Sequence, residues 1–439
     1  MQTHLAPEFQ GMPDGEDAEA ILRRCVHCGF CTATCPTYQL LGDELDGPRG
    51  RIYLVKQVLE GVAPTRATQL HLDRCLTCRN CETTCPSGVE YGHLVEIGRR
   101  VVDAKVERPA GERAVRWLLK EGLTSPLFKP AMAVGQALRP LLPSSLKAKV
   151  PPRAAGDAAA RARRWPQRTH ARKVLMLAGC VQPAMAPNIN AATARVLDAL
   201  GLQVVLPDGA GCCGAIRSHL GDTAGGLDDM RRNIDAWWPW VAGLTDAGTV
   251  EALVINASGC GATVKDYGHA LAHDPAYADR ARRVSAIARD LGEVVVAELD
   301  ALRRALGAGA SAATEGQARA PGGPVLYHPP CTLQHGMQLR GGVEAILAAA
   351  GFEVRLAPGE SHLCCGSAGT YSVLQPELST ALRDRKLAAL NAAVPPAAPV
   401  PAQAIVSANI GCITHLQSGT AMPVRHWVEL VDERLDAPG

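Results

Sequence analysis

CVHCGFCTATCP at residues 25–36 and CLTCRNCETTCP at residues 75–86 use one cysteine spacing twice. Each reads Cys-x2-Cys-x2-Cys-x3-Cys-Pro, the pattern of a two-cluster bacterial-type ferredoxin. Two residues between cysteines let a tight loop aim three thiolates at one cube of iron and sulfide. The fourth cysteine lies one residue further on, and the proline behind it turns the chain away, so it serves the neighbouring cluster. The spacing therefore predicts one [4Fe-4S] cluster on Cys25, Cys28, Cys31 and Cys85, and another on Cys75, Cys78, Cys81 and Cys35. Zinc ribbons also use Cys-x2-Cys pairs, but with two cysteines per half-site. A zinc-stabilised binding module is the rival reading from a different class.

Around these runs the pattern is helical. In GRIYLVKQVLE (50–60), Ile52, Val55 and Leu59 fall on one face, and Gly61 and Pro64 supply the stop. Residues 21–24 and 94–106 also read as helix. The expectation is a helical ferredoxin domain over 1–106, not a small β-rich one.

Residues 107–172 read as helical and then basic. Between Lys147 and Lys173 stand nine Lys and Arg against one acid, Asp157. Without aromatic interleaving for base stacking, a solvated linker is expected rather than a nucleic-acid arm.

Residues 173–439 contain a unit used twice, expected over about 173–310 and 324–439. Short apolar strands at 174–178, 204–206 and 252–256 lead towards Cys180, Cys212–Cys213–Gly214 and Cys260. Strands at 325–327, 354–356 and 404–408 lead towards Cys331, Cys364–Cys365–Gly366 and Cys412. From single cysteine to pair there are 31 residues in one copy and 32 in the other; from pair to last cysteine there are 46 in both. That agreement marks an internal repeat, and the alternation of strands and helices makes each half α/β. The fold class is thus α followed by α/β: a helical two-cluster ferredoxin domain and a duplicated Cys-Cys-Gly domain. Four cysteines at repeated positions, two of them adjacent, are poorly explained as packing, and soft thiolates favour iron-sulfur chemistry. The sets Cys180, Cys212, Cys213, Cys260 and Cys331, Cys364, Cys365, Cys412 form a candidate further redox site.

Composition narrows the class. The chain has 439 residues, net charge +2 and sixteen cysteines, which favours no nucleic-acid partner and suits a reducing compartment. No export signal and no run of ~20 apolar residues is evident, so a cytoplasmic protein is expected, at most peripheral on the inner face of the cytoplasmic membrane. Trp237, Trp238 and Trp240 read as core or interface. His219, His328, His335 and His415 read as structural unless they meet a cofactor. Arg23, Arg24, Arg74 and Arg79 flank the ferredoxin runs and could offset cluster charge. There is no Rossmann glycine fingerprint, no P-loop and no HExxH, so nothing in the chain is expected to take hydride from a substrate.

Two tracts, CVHCGFCTATCPTYQLLGDELDGPRGRIYLVKQVLEG (25–61) and LDRCLTCRNCETTCPSGVEY (72–91), together with the Cys-Cys-Gly repeats, resemble the iron-sulfur subunits of bacterial glycolate oxidase (glycolate dehydrogenase). The wider family includes subunits serving glycerol-3-phosphate and lactate. The resemblance implies a complex in which an FAD-bearing partner flavoprotein oxidises glycolate to glyoxylate and this chain carries the electrons onward to a quinone. It also implies two [4Fe-4S] clusters on the eight ferredoxin cysteines. The sequence departs from the heterodisulfide reductase relatives, whose repeats end in Cys-x2-Cys: here Thr263 and His415 stand where a fifth cysteine would be.

Overall fold

The computed structural model describes residues 1–147, 149–153, 156–245, 248–310, 323–395 and 400–436. The last residues expected of the second repeat, 437–439, lie outside them.

Up to residue 106 the described chain is helical. Pro13–Arg24 and Pro48–Leu59 each open on proline, whose fixed φ suits a first turn. Arg66–Asp73 opens on a capping box from Thr65 and Thr68. With Tyr91–Lys105 these helices bury Ile21, Leu22, Val55, Leu59, Leu72 and Leu94 in one core. The helix expected over 50–60 starts two residues earlier and ends at Leu59. The two cysteine runs share one backbone path. His27 and Gly29 in the first, and Thr77 and Arg79 in the second, take left-handed φ values of 59°, 88°, 51° and 58°.

The rest is two α/β halves of one topology. In the first, β1 (Arg172–Leu177), β2 (Leu202–Val205), β3 (Ala252–Ile255) and β4 (Ala288–Asp290) form a parallel sheet ordered β2-β1-β3-β4. In the second, β5 (Val325–Tyr327), β6 (Val354–Leu356), β7 (Ala404–Ser407) and β8 (Val424–His426) repeat that order as β6-β5-β7-β8. The continuous apolar runs of β1, β3 and β7 are those of parallel strands covered on both faces. The fold class read from the sequence is the observed one. It did not include β4 and β8, whose segments ARD and VRH have no apolar run to detect.

The halves interlock. Ile189, Val196 and Leu197 of the Asn188–Ala199 helix share a core with Val428 and Val431 of the Trp427–Asp436 helix. The loop after β3 meets the loop after β7, where Ser258 N–H donates to the Ala408 carbonyl at 3.0 Å. His426 at the end of β8 bonds the Asn256 carbonyl through Nε2 at 3.0 Å and accepts from Val428 N–H through Nδ1 at 3.1 Å.

The basic stretch differs from the solvated linker expected. Its Gly156–Arg163 helix packs on Asn188–Ala199. Arg161 pairs with buried Asp432, Arg168 with Asp198, and Arg172 with Glu251 and Glu298. The balancing acids lie up to 271 positions away, which is why a local window shows only the cations. Upstream, Ala110–Thr124 and Phe128–Ala137 form an arm held to the first half by Arg217–Glu121 and Lys120–Asp222 pairs. Trp117, Leu118, Leu127 and Leu141 of this segment are 61–82% exposed.

Candidate metal centres

The ferredoxin cysteines fall into two groups. Cys31 has Cys25, Cys28 and Cys85 as its thiol neighbours, while Cys81 has Cys78, Cys75 and Cys35. Two adjoining cavities reflect the same division. One is lined by Cys25, Cys28, Cys31 and Cys85, the other by Cys35, Cys75 and Cys78, and Cys81 and Tyr91 border both. The first cavity lies near the surface: Cys28 is exposed, and Val26 and Phe30 beside it are 69% and 61% exposed. The second is lined by the buried Cys35, Cys75 and Cys81 and the half-buried Cys78.

The electrostatics of the two groups differ. Burial and the neighbouring Cys25 push the Cys31 thiol up to about 11. Burial alone would raise Cys75 as well, but the Arg51 and Arg99 guanidiniums outweigh it and hold this thiol below its ordinary value. The Thr77 N–H adds a bond to the Cys75 sulfur at 3.4 Å, and the Tyr91 hydroxyl another at 3.6 Å. Arg51 is 1% exposed; it donates to the His71 carbonyl, Thr37 Oγ1 and Asp46. Of the arginines singled out from sequence, Arg79 lines the second cavity while paired with Glu82; Arg23 pairs with Glu19, Arg24 with Glu90 and Arg74 with Asp46. Arg51 was missed, although an arginine aligned with Val55 and Val58 on the buried face of a helix was the available signal.

The repeat cysteines also converge. In the first half, Cys212 interacts with Cys180 and Cys213, and Cys213 with Cys260. Hydrogen bonds from Cys180 and Cys213, then from the Gly214 and Ile216 N–H groups, hold the Cys212 thiol well below its ordinary value against the effect of burial. In the second half the chain of contacts is Cys331–Cys364–Cys365–Cys412. Both sets follow strand ends, and Cys331 leads into a π-helical turn, Thr332–Gly336. The glycine after each pair is required. Gly214 and Gly366 have φ values of 93° and 84°, and a Cβ there would lie 2.7 Å from the Gly226 carbonyl and 2.5 Å from the Ser379 carbonyl.

The second-half set adjoins the ferredoxin module. Cys78 neighbours both Cys331 and Cys364, and Leu76 shares a small apolar cluster with Cys331, Cys364, Tyr371 and Leu382. Around it Tyr371 donates to the Arg74 carbonyl, Asn80 to the His362 carbonyl, and Thr83 Oγ1 pairs with His335 Nδ1 at 2.9 Å. Among the histidines singled out, His335 belongs to this contact and His415 bonds Ser379. His219 lies 3.8 Å from Glu96, and His328 lies among the second-half cysteines. Trp237 is a core residue stacked near Tyr267, whereas Trp238 lies under Arg280 and Arg283. Grouped, largely buried thiols with cationic and N–H neighbours are a donor set that fits iron-sulfur clusters.

Comparison with known proteins agrees with this chemistry. Residues 21–89 match the family described as "4Fe-4S dicluster domain", and residues 174–265 and 325–417 match the "Cysteine-rich domain". The chain is 51% identical to the glycolate oxidase iron-sulfur subunit of Escherichia coli K12, over 99% of this chain and 100% of that protein. The chain belongs to the glycolate oxidase iron-sulfur subunit family. A probable glycolate oxidase iron-sulfur subunit of Bacillus subtilis is 30% identical over 96% of this chain and 95% of its own length. Lactate utilization protein A of Bacillus licheniformis is 25% identical over 60% of this chain. As a member of the glycolate oxidase iron-sulfur subunit family, the chain is an electron-transfer subunit of an oxidoreductase. Among the described residues no helix is long and apolar enough to cross a membrane.

Proposed function

We propose that this chain carries electrons away from a partner flavoprotein subunit that holds FAD and oxidises glycolate to glyoxylate. A bound [4Fe-4S] cluster supplies a one-electron site. In this reading Cys25, Cys28, Cys31 and Cys85 hold one cluster, and Cys75, Cys78, Cys81 and Cys35 the other. The observation that carries it is the grouping of thiols around Cys31 and Cys81, in which each run lends its fourth cysteine to the other. A third centre on Cys331, Cys364, Cys365 and Cys412, with Cys180, Cys212, Cys213 and Cys260 as its counterpart in the first half, extends the proposal. Support comes from Cys78, which stands between the second ferredoxin group and the second-half set. Residues 1–106 then form the cluster module, 107–172 join it to the rest, and 173–439 form the duplicated unit.

Oxidation of glycolate releases two electrons and two protons, and the flavin of the partner takes both electrons. The surface near Val26 and Phe30 offers the ferredoxin end to that partner, and a quinone is the final acceptor. A cytoplasmic chain lying peripherally on the membrane would suit such an acceptor. The exposed Trp117, Leu118, Leu127 and Leu141, with Lys129 and Lys147 exposed nearby, have the composition of a segment resting in a lipid interface.

The test is anaerobic purification with iron and sulfide counts, followed by addition of substrate. A brown chain that glycolate bleaches only when the flavoprotein is present supports the proposal. A colourless zinc protein, or turnover of glycolate by the isolated flavin-free chain, would sink it. Bleaching by lactate or glycerol-3-phosphate in place of glycolate would reassign the substrate.

A further inference from the structure

The two Cys-Cys-Gly sets are unequal. Three residues before Cys331 stands His328; three residues before Cys180 stands Leu177. His328 is 0% exposed, and neither ring nitrogen has a hydrogen-bond partner. Its backbone is fixed on both sides: the N–H donates to the Val406 carbonyl at 2.9 Å, and the carbonyl accepts from Ser407 Oγ at 2.9 Å. The side chain is fully enclosed, and a ligand atom of His328 lies within 4.8 Å of those of Cys365 and Cys412. Buried imidazoles are normally hydrogen-bonded, and one left without a partner amid thiols is a donor directed at something else.

His415, which takes the place of the fifth cysteine of the heterodisulfide reductase relatives, is not part of this group; its Nε2 bonds Ser379 Oγ at 3.0 Å. The donors that are available already have N–H support. Asn409 Nδ2 lies 3.6 Å from the Cys412 sulfur, and the Gly366 N–H 3.4 Å from that of Cys364. Lys386, 2% exposed, faces Cys331, Cys364 and Cys365 and offsets thiolate charge. Among the described residues no histidine is grouped with the first-half cysteines as His328 is with Cys365 and Cys412, and Leu177 packs with Cys213 in an apolar cluster.

We propose that the second-half set binds its iron-sulfur centre through mixed imidazole and thiolate coordination, with His328 ligating beside Cys365 and Cys412. This rests on the reading that the second-half set holds a cluster. Replacing thiolate by neutral imidazole removes negative charge from a centre and raises its potential, as in Rieske clusters. The structure thus assigns the second half a centre of higher potential than an all-cysteine site at the same place would have, next to Cys78.

The test uses the full chain, isolated anaerobically with 15N-labelled histidine and examined by pulsed EPR after reduction. A nitrogen coupling should be present in the wild type and lost in His328→Leu, which copies the residue of the first half. His328→Cys should keep the wild-type iron count, lose the coupling and shift one midpoint potential downward. Absence of the coupling in wild type, or its persistence in His328→Leu, overturns the ligand assignment. Wild-type iron and sulfide in the Cys365→Ala, Cys412→Ala chain overturns the cluster reading itself, and the role of His328 with it.

Discussion

At Gly366 the backbone φ of 84° and the nearby Ser379 carbonyl act together against any side chain. A left-handed residue with a Cβ costs ~1–2 kcal/mol, and forcing the Cβ into the carbonyl adds about 1–3 kcal/mol. Gly369 also has positive φ, at 61°, but a Cβ there meets nothing within 4 Å. Gly366→Ala should therefore lower the denaturation midpoint clearly more than Gly369→Ala; equal losses would show that close approach is not the constraint. Arg51 makes a different kind of prediction. Its guanidinium faces Cys35 and Cys75 from a fully buried position, so Arg51→Gln should lower the midpoint potential of the cluster proposed for that group, as read by EPR redox titration. An unchanged potential would leave Arg51 as a structural partner of Asp46, Thr37 and the His71 carbonyl. At this scale the cysteines were legible because their spacing is itself the chemistry. Arg51 was signalled only by its place on an apolar helix face, and the orphaned state of the His328 imidazole by nothing local, since the absence of solvent around it is decided by segments far away in sequence.

Strands and helices show the same division between local and distant causes. β1, β3 and β7 announce themselves as short apolar runs, whereas β4 and β8 exist because a parallel neighbour pairs with them and carry an arginine at their centres. The clasp at the end of β8 can be tested by pH. Burial pushes the His426 imidazole down to about 3, with the Asn256 carbonyl pulling weakly the other way. Its ordinary value is 6.5, so below that pH the unfolded chain takes up a proton that the folded chain refuses. Stability is therefore lost as pH falls from about 6.5 towards 3, approaching about 1.4 kcal/mol per pH unit for this one group. His426→Gln, which can still donate to Asn256, should show a shallower fall in urea midpoint between pH 7 and pH 5 than the wild type. Parallel curves would mean that His426 takes up its proton as readily in the folded chain as in the unfolded one.

In the whole molecule, the ferredoxin module is joined to the second half by polar contacts around Cys78 and Cys331. His335 links Thr83 to the His362 carbonyl, both bonds at 2.9 Å. His335→Ala removes two hydrogen bonds of ~1 kcal/mol each, so amide exchange over residues 80–84 and 363–366 should accelerate roughly ten- to thirty-fold. Exchange in the Thr223–Val241 helix should stay unchanged, and uniform acceleration would mean general unfolding instead. The duplication was legible from matched cysteine intervals, but the interlocking of its halves was not, because no local pattern records which helix covers which. That interlocking has a consequence in time. The Asn188–Ala199 helix waits for its cover, Trp427–Asp436, while about 230 further residues are made, an interval on the order of 10–45 s at ~5–20 residues per second. Throughout it Val196 and Leu197 lack Val428 and Val431, and Arg195 lacks Asp432. A nascent chain in this state has a half-built core open to chaperones, and to proteases if it stalls. A ribosome that stops short of Trp427 thus releases a chain with an uncovered first half rather than a shorter working subunit, and pulse-labelled chains ending near residue 420 should disappear faster than the full-length product.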